Sequence, residues 1–141
     1  MNEKYVVSLE LAKKMKELGF KQESDFCWCR AYGKIYLENE KDSLEYLPSN
    51  LFSAYHVGEL GEMLPITIQM NSETHWLEMG KTTFWYHCGY IYQHEGETRG
   101  WGRFNDTVHH ALGEGKTEAD ARARMLIYLA ENNLLYAKDI K

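Results

Sequence analysis

The sequence predicts an α+β domain in which an antiparallel sheet of about five strands packs against an N-terminal and a C-terminal helix, with a short middle helix. The pattern gives a helix, two strands, a short helix, about three or four strands and a last helix, so helices separate runs of adjacent strands. The chain has 141 residues, of which 44% are hydrophobic. This length and composition favour a single domain over residues 1–141.

Charge and apolar content disfavour two classes of partner. Sixteen Lys and Arg against 21 Asp and Glu give a net charge of −5, the wrong sign for gripping phosphate backbones, so nucleic acid is disfavoured. The longest apolar run, residues 125–130, is far shorter than the roughly 20 residues of a membrane span.

The N-terminal residues show no secretory signal, and an odd count of three Cys suits free thiols. We therefore expect a cytoplasmic protein outside membranes.

The first helix is predicted over residues 8–20, where apolar side chains recur at helical spacing. Ser8 is a suitable N-cap residue. Gly19 followed by Phe20 is typical of a Schellman end. Both ends of this helix are therefore specified locally.

Two further helices are predicted. The middle helix begins after a cap at Ser53 and ends at residue 63, because Pro65 lacks a backbone N–H. The last helix covers residues 118–132. Thr117 followed by an acidic residue three positions later resembles a capping box at its start.

Aromatic and β-branched runs predict the strands. Residues 26–37 form a hairpin with its turn at Gly33–Lys34, and residues 66–70 alternate apolar and polar side chains. The strongest signal is a central hairpin over residues 75–94, joined around residues 80–83. We expect these runs to pair as antiparallel neighbours.

The remaining segments carry weaker signals. Residues 94–106 contain glycine breaks and are typical of a connection or hairpin end, and residues 107–112 are expected to form a last strand. Residues 38–62 hold six acidic side chains and one basic one. This acidic stretch is a solvated face or a surface for a basic partner.

The central hairpin groups side chains that could carry chemistry. A turn around residues 80–83 places Trp76 and Glu78 on the same face as Trp85 and His87. Glu78 could orient His87 as a general base. The alternative is an ordinary polar pair on a sheet surface, and we favour it because no nucleophile accompanies the pair.

Two arrangements of cysteine residues also have both a functional and a structural interpretation. The opposite face of the central hairpin is expected to place His75 near Cys88, a minimal thiol pair, but a Cys among aromatic side chains is more typical of a buried hydrophobe. Cys27 and Cys29, with His87 or with His109 and His110, supply zinc-type ligands. A strand aims alternate sulfurs in parallel, so we predict no metal and no cofactor.

The glycine-rich segment ETRGWGRF is the best ligand candidate in the sequence. Arg99 and Arg103 could bind an anion while Trp101 stacks on a base. The segment lacks the phosphate-loop order of glycine and lysine. The same Trp101 could also anchor a protein interface, since Trp and Arg dominate binding hot spots.

The segments VVSLELAKKMKELGF, with Phe26 and Trp28 beyond it, LGEMLP and TEADARARMLIYLAENNLL resemble a group of small uncharacterised proteins encoded by phages and prophages. The similarity covers about half of the chain. That group carries no assigned activity, so the resemblance implies no role for any residue. It implies a compact accessory protein inside an infected or lysogenic bacterial cell.

These observations predict an accessory protein that acts by association with a protein partner, not an enzyme. Its surface would be the aromatic sheet face, the Trp101 segment or the acidic stretch. The alternative is a small module that binds a nucleotide or other anionic ligand through Arg99, Trp101 and Arg103. A third hypothesis is a small enzyme with an acid–histidine or cysteine–histidine pair.

Overall fold

A computed structural model describes residues 2–39, 48–70, 72–94, 97–98, 112–137 and 140. Its α-helices are α1 (Leu9–Glu17), α2 (Val57–Met63) and α3 (Glu118–Glu131). Short 3-10 helices cover Glu3–Tyr5 and Pro48–Asn50. The strands are β1 (Phe26–Ala31), β2 (Lys34–Asn39), β3 (Leu51–Ser53), β4 (Thr67–Met70), β5 (Glu73–Lys81), β6 (Tyr86–His94), β7 (Glu97–Thr98) and β8 (Leu112–Gly115).

The strands form two antiparallel sheets, so the α+β class is confirmed while the expectation of one sheet is wrong. The first sheet has the order β2-β1-β3. In the second, β4, β5 and β6 are consecutive neighbours, and β7 and β8 both pair with β6. The first hairpin pairs with β3 and so forms a sheet separate from the central hairpin. Strand β3 is too short for an alternating pattern to reveal it in the sequence.

The turn of the first hairpin lies one residue earlier than predicted. Ala31 pairs with Lys34, which leaves Tyr32 and Gly33 as the connection. Their φ angles are 52° and 73°, as a two-residue turn of type I′ requires. Tyrosine rarely adopts a positive φ, so the sequence pattern indicated a turn one residue later, at Gly33–Lys34.

Helix α1 has the predicted C-terminal end. The N–H of Phe20 donates to the carbonyl of Met15 at 3.1 Å, and Gly19 has a φ of 90°. Ser8 is the N-cap residue, but its side chain makes no capping hydrogen bond. Lys16 Nζ donates to the carbonyl of Leu51 at 2.8 Å and thereby ties α1 to the first sheet.

Helix α2 begins four residues later than its predicted cap. Ser53 is the last residue of β3, where it pairs with Cys27, and cannot cap a helix. His56 is the N-cap instead: its Nδ1 accepts the N–H of Gly58 at 3.2 Å. The Glu59 carboxylate returns the interaction by accepting the N–H of His56 at 2.6 Å. The helix ends at Met63, as predicted.

Helix α3 packs over β6 and β8 and also contacts α1 and α2. The predicted cap is confirmed, since the Thr117 hydroxyl accepts the N–H of Asp120 at 3.1 Å. Gly113 and Gly115 of β8 face the first turns of α3, where an added Cβ would collide with the helix backbone. The deepest large side chains of the core are Tyr90, Met15, Leu60, Met125, Leu126 and Leu129.

No α-helix within the described ranges is both long and apolar enough to cross a lipid bilayer.

Candidate functional site

The register of the central hairpin decides which side chains meet on the second sheet. Trp76 pairs with Ile91, Glu78 with Gly89 and Gly80 with His87. Directly paired residues share a face. Trp76, Glu78 and His87 therefore lie on one face of the sheet, as the alternating strand pattern predicted.

The turn of this hairpin is shifted toward its tip. Lys81 pairs with Tyr86, so residues 82–85 form the connection where 80–83 was predicted. The N–H of Thr82 donates to the carbonyl of Trp85 at 2.8 Å, which continues the ladder by one pair. Trp85 therefore lies on the same face of the sheet as His87, nearer the tip of the hairpin. We call Trp76, Glu78, Trp85, His87 and Glu114 the outer face.

The expected proximity of His75 and Cys88 is wrong. His75 pairs with Tyr92 and Cys88 with Met79, so four strand steps, or about 13 Å, separate them. Cys88 is fully buried, and burial raises the pKa of its thiol to about 12. His75 Nδ1 lies 3.1 Å from the carbonyl oxygen of Glu73. These two residues do not form a thiol–imidazole pair.

His87 has a carboxylate neighbour that sequence reasoning missed. Glu114 pairs with His87 across β6 and β8, and His87 Nδ1 lies 3.5 Å from Glu114 Oε1. Glu78 is only a diagonal neighbour, since Gly80 lies opposite His87 on β5. The predicted last strand ended at residue 112, so no sequence signal placed Glu114 beside the histidine.

The outer face is exposed on its β5 side and at the hairpin tip. Trp76 is 47% exposed and Trp85 is 42% exposed, while Phe84 of the connection is 78% exposed. Ile91, opposite Trp76, is buried. The opposite face of the second sheet packs against α3. The exposed aromatic surface therefore begins at Trp76 and extends to the hairpin tip.

The other two cysteines lie in the first sheet. Cys27 and Cys29 are both buried, and their sulfurs are 3.2 Å apart. Burial, reinforced by the Cys27 thiol, raises the pKa of Cys29 to about 12. Across the residues described above, no group of three or more His, Cys, Asp or Glu side chains is placed to hold a metal ion.

Several predicted candidates lie outside the described residues. These are Arg99, Trp101 and Arg103 of the glycine-rich segment, together with His109 and His110. Residues 40–47 of the acidic stretch also lie outside them. Of the predicted partner-binding residues, the structure thus places Trp76, Glu78, Trp85 and His87.

No family model matches this chain, and no curated protein or solved structure shows significant similarity to it.

Proposed function

We propose that this protein is a small accessory domain that acts by association, and that its outer face binds a partner segment carrying basic and apolar side chains. The observation that carries the proposal is the exposure of Trp76 and Trp85, 47% and 42%, on one face of a sheet whose other face packs against a helix. Trp is the residue most enriched in binding hot spots.

Charge favours a basic partner. The carboxylates of Glu78 and Glu114 share the outer face with the two exposed tryptophans. A lysine or arginine can pair with a carboxylate while its charge lies over an indole ring. The net charge of −5 adds long-range attraction for a cationic segment.

Association accounts for the outer face better than catalysis does. His87 and Glu114 form an acid–histidine contact, but the Cys88 thiol, next to His87 in the chain, is sealed in the core. Its raised pKa keeps this thiol protonated at neutral pH. The same proposal places this domain inside a bacterial cell that carries a phage or prophage, as the sequence resemblance implies.

The test uses two labelled peptides of equal length. In one, lysine alternates with leucine; in the other, glutamate replaces every lysine. Fluorescence anisotropy measures the dissociation constant of each. We expect the lysine peptide to bind more tightly, and the preference to shrink as salt is added.

Variants then locate the binding surface. Joint replacement W76S with W85S should weaken lysine-peptide binding at least about tenfold, the loss expected of a hot spot. Y136S removes another exposed aromatic side chain, 58% exposed, and should leave affinity unchanged. Equal binding of both peptides, or full binding by the folded double variant, contradicts the proposal.

A further inference from the structure

Strand β2 forms one edge of the first sheet. The strand order is β2-β1-β3, so β2 pairs with β1 on one side, and none of the other described strands pairs with it. The side chains of Ile35 and Tyr36 are 43% and 40% exposed, and Tyr32 of the adjoining turn is fully exposed. An exposed edge strand with apolar side chains is a template for pairing with another strand.

The register of the first hairpin shows which backbone groups of β2 face this edge. The two-residue turn makes Ala31 and Lys34 a hydrogen-bonded pair, and such pairs alternate with non-hydrogen-bonded pairs along an antiparallel ladder. Every second residue from Lys34 therefore directs its N–H and C=O groups toward β1. Ile35 and Leu37 direct theirs outward, so both can exchange hydrogen bonds with a further strand.

The charges of β2 are complementary to those of a second copy of the same strand. Lys34 is its first residue, and Glu38 lies next to its end. When two copies run antiparallel with Tyr36 opposite Tyr36, each Lys34 lies opposite Glu38 of the other copy. Opposite charges at directly paired positions stabilise two strands, whereas like charges destabilise them.

The same register satisfies the backbone groups at the edge. It places Ile35 of each copy opposite Leu37 of the other, and both residues direct their N–H and C=O groups outward, so each pair exchanges two hydrogen bonds. A shift by one residue sets outward groups against groups that already bond to β1. A shift by two residues restores the hydrogen bonds but separates Lys34 from Glu38. Backbone and charge therefore favour one register.

We propose that two copies of this protein associate by antiparallel pairing of β2, centred on Tyr36, which joins two three-stranded sheets into one of six strands. This pairing is two-fold symmetric and uses the same edge in both copies, so the assembly closes at a dimer. Charges on an edge strand oppose pairing with unrelated strands, and Lys34 and Glu38 thereby select a second copy. The inference does not depend on the outer face, which belongs to the second sheet.

Sedimentation equilibrium on the full chain measures this association. At most six residues of each strand pair, fewer than the roughly 20 a side of a standard interface, so the dimer is weak. The average mass should rise from that of one chain toward that of two between about 10 µM and 1 mM. The mass of one chain over this whole range, or growth beyond two chains, overturns the proposal.

Charge substitutions test the register. K34E and E38K each create two pairs of like charges and should weaken dimerisation at least about fivefold. The double variant K34E/E38K restores both attractions and should return the dissociation constant to within about twofold of the original. K21E makes the same charge change at an exposed lysine outside β2 and should dimerise normally. Normal dimerisation of both single variants, or no recovery in the double variant, overturns the proposed pairing.

A proline separates the edge from the fold. The N–H of Ile35 points outward, so I35P removes a hydrogen bond to the second copy and none to β1, and edge strands tolerate proline. I35P should remain folded, as circular dichroism would show, and should stay monomeric. A folded I35P variant that dimerises normally contradicts the pairing. If I35P fails to fold, the charge variants decide.

Disulfide cross-linking locates the two-fold axis. Tyr36 lies opposite its own copy at a non-hydrogen-bonded position, where paired Cα atoms are about 4.5 Å apart, a distance that a disulfide can span. Y36C should therefore form a covalent dimer with oxidised glutathione, while the three native thiols are buried. Y136C changes another exposed tyrosine and should stay monomeric. No cross-link in Y36C, or equal cross-linking in both variants, contradicts the proposal.

Discussion

The backbone N–H of Ser8 donates to the Asp120 carboxylate at 2.8 Å, although 112 positions separate the two residues. The start of α1 thereby donates a hydrogen bond to the first turn of α3. Asp120 also has its own N–H capped by Thr117. One acidic residue thus joins the first and last helices of the chain.

D120A should reduce the free energy of unfolding by about 1.5–3 kcal/mol, because it leaves the Ser8 N–H without its charged acceptor. D120N keeps an acceptor oxygen and should cost less. Urea denaturation measures both. E131A is the control: it removes a contact of 3.9 Å between half-exposed side chains, Lys14 and Glu131, and should cost less than about 0.5 kcal/mol. Equal losses in D120A and E131A would show that the Ser8 contact contributes little.

Glycine at position 113 is required by the approach of α3. An added Cβ would lie 2.7 Å from the backbone nitrogen of Met125, and neither backbone can move without separating β8 from α3. G113A should therefore destabilise the protein by about 3 kcal/mol.

Gly58 of α2 is the matched control, because its added Cβ would meet nothing nearer than His56 Nδ1 at 3.5 Å. G58A should be neutral or stabilise by up to about 1 kcal/mol. Thermal unfolding compares the two variants. Similar melting temperatures for both would contradict the close approach at Gly113.

The three thiols should resist modification in the folded protein. Cys27, Cys29 and Cys88 are 7%, 0% and 0% exposed, and the raised pKa values of Cys29 and Cys88 keep these two thiols protonated. At about pH 8, a thiol reagent should label none of them until urea unfolds the chain, and then all of them. Rapid labelling of any thiol without denaturant would contradict their burial.

Stability should fall as the solution becomes alkaline. The Cys88 pKa is about 12 in the folded state against an ordinary value of 9, so above pH 9 the unfolded chain loses this proton first and is favoured. The free energy of unfolding should decline between about pH 9 and pH 12, by at most about 1.4 kcal/mol per pH unit for this thiol.

The C88A variant isolates this thiol. Urea titrations at about pH 8 and pH 10 should show a smaller decline in C88A than in the original chain. The raised pKa values of Tyr55 and Tyr90 act in the same direction in both proteins. An identical decline in the two proteins would mean that Cys88 ionises equally in both states.

Sequence prediction succeeded where a few neighbouring residues determine the structure. The Schellman end at Gly19 and Phe20 and the cap at Thr117 depend on hydrogen bonds within one helical turn. The shared face of Trp76, Glu78 and His87 depends on the period of two along each strand and on the register of the hairpin, which its short connection sets. Such local signals are present in the sequence itself.

The errors arise where distant segments decide. Ser53 is a reasonable cap residue in isolation, but pairing with Cys27 places it in a strand. His87 contacts Glu114 because β8 pairs with β6 after a long connection. Tertiary contacts fixed these features.

The anchoring of the N-terminal segment bears on when this chain can fold during its synthesis. The N–H of Val7 donates to the Tyr55 carbonyl, and the Trp28 indole donates to the Val7 carbonyl. The N–H of Ser8 donates to the Asp120 carboxylate of α3. The start of α1 thus gains this contact only after α3 has been synthesised. Nascent chains arrested before α3 should accordingly be cut by protease within α1, whereas released chains should resist.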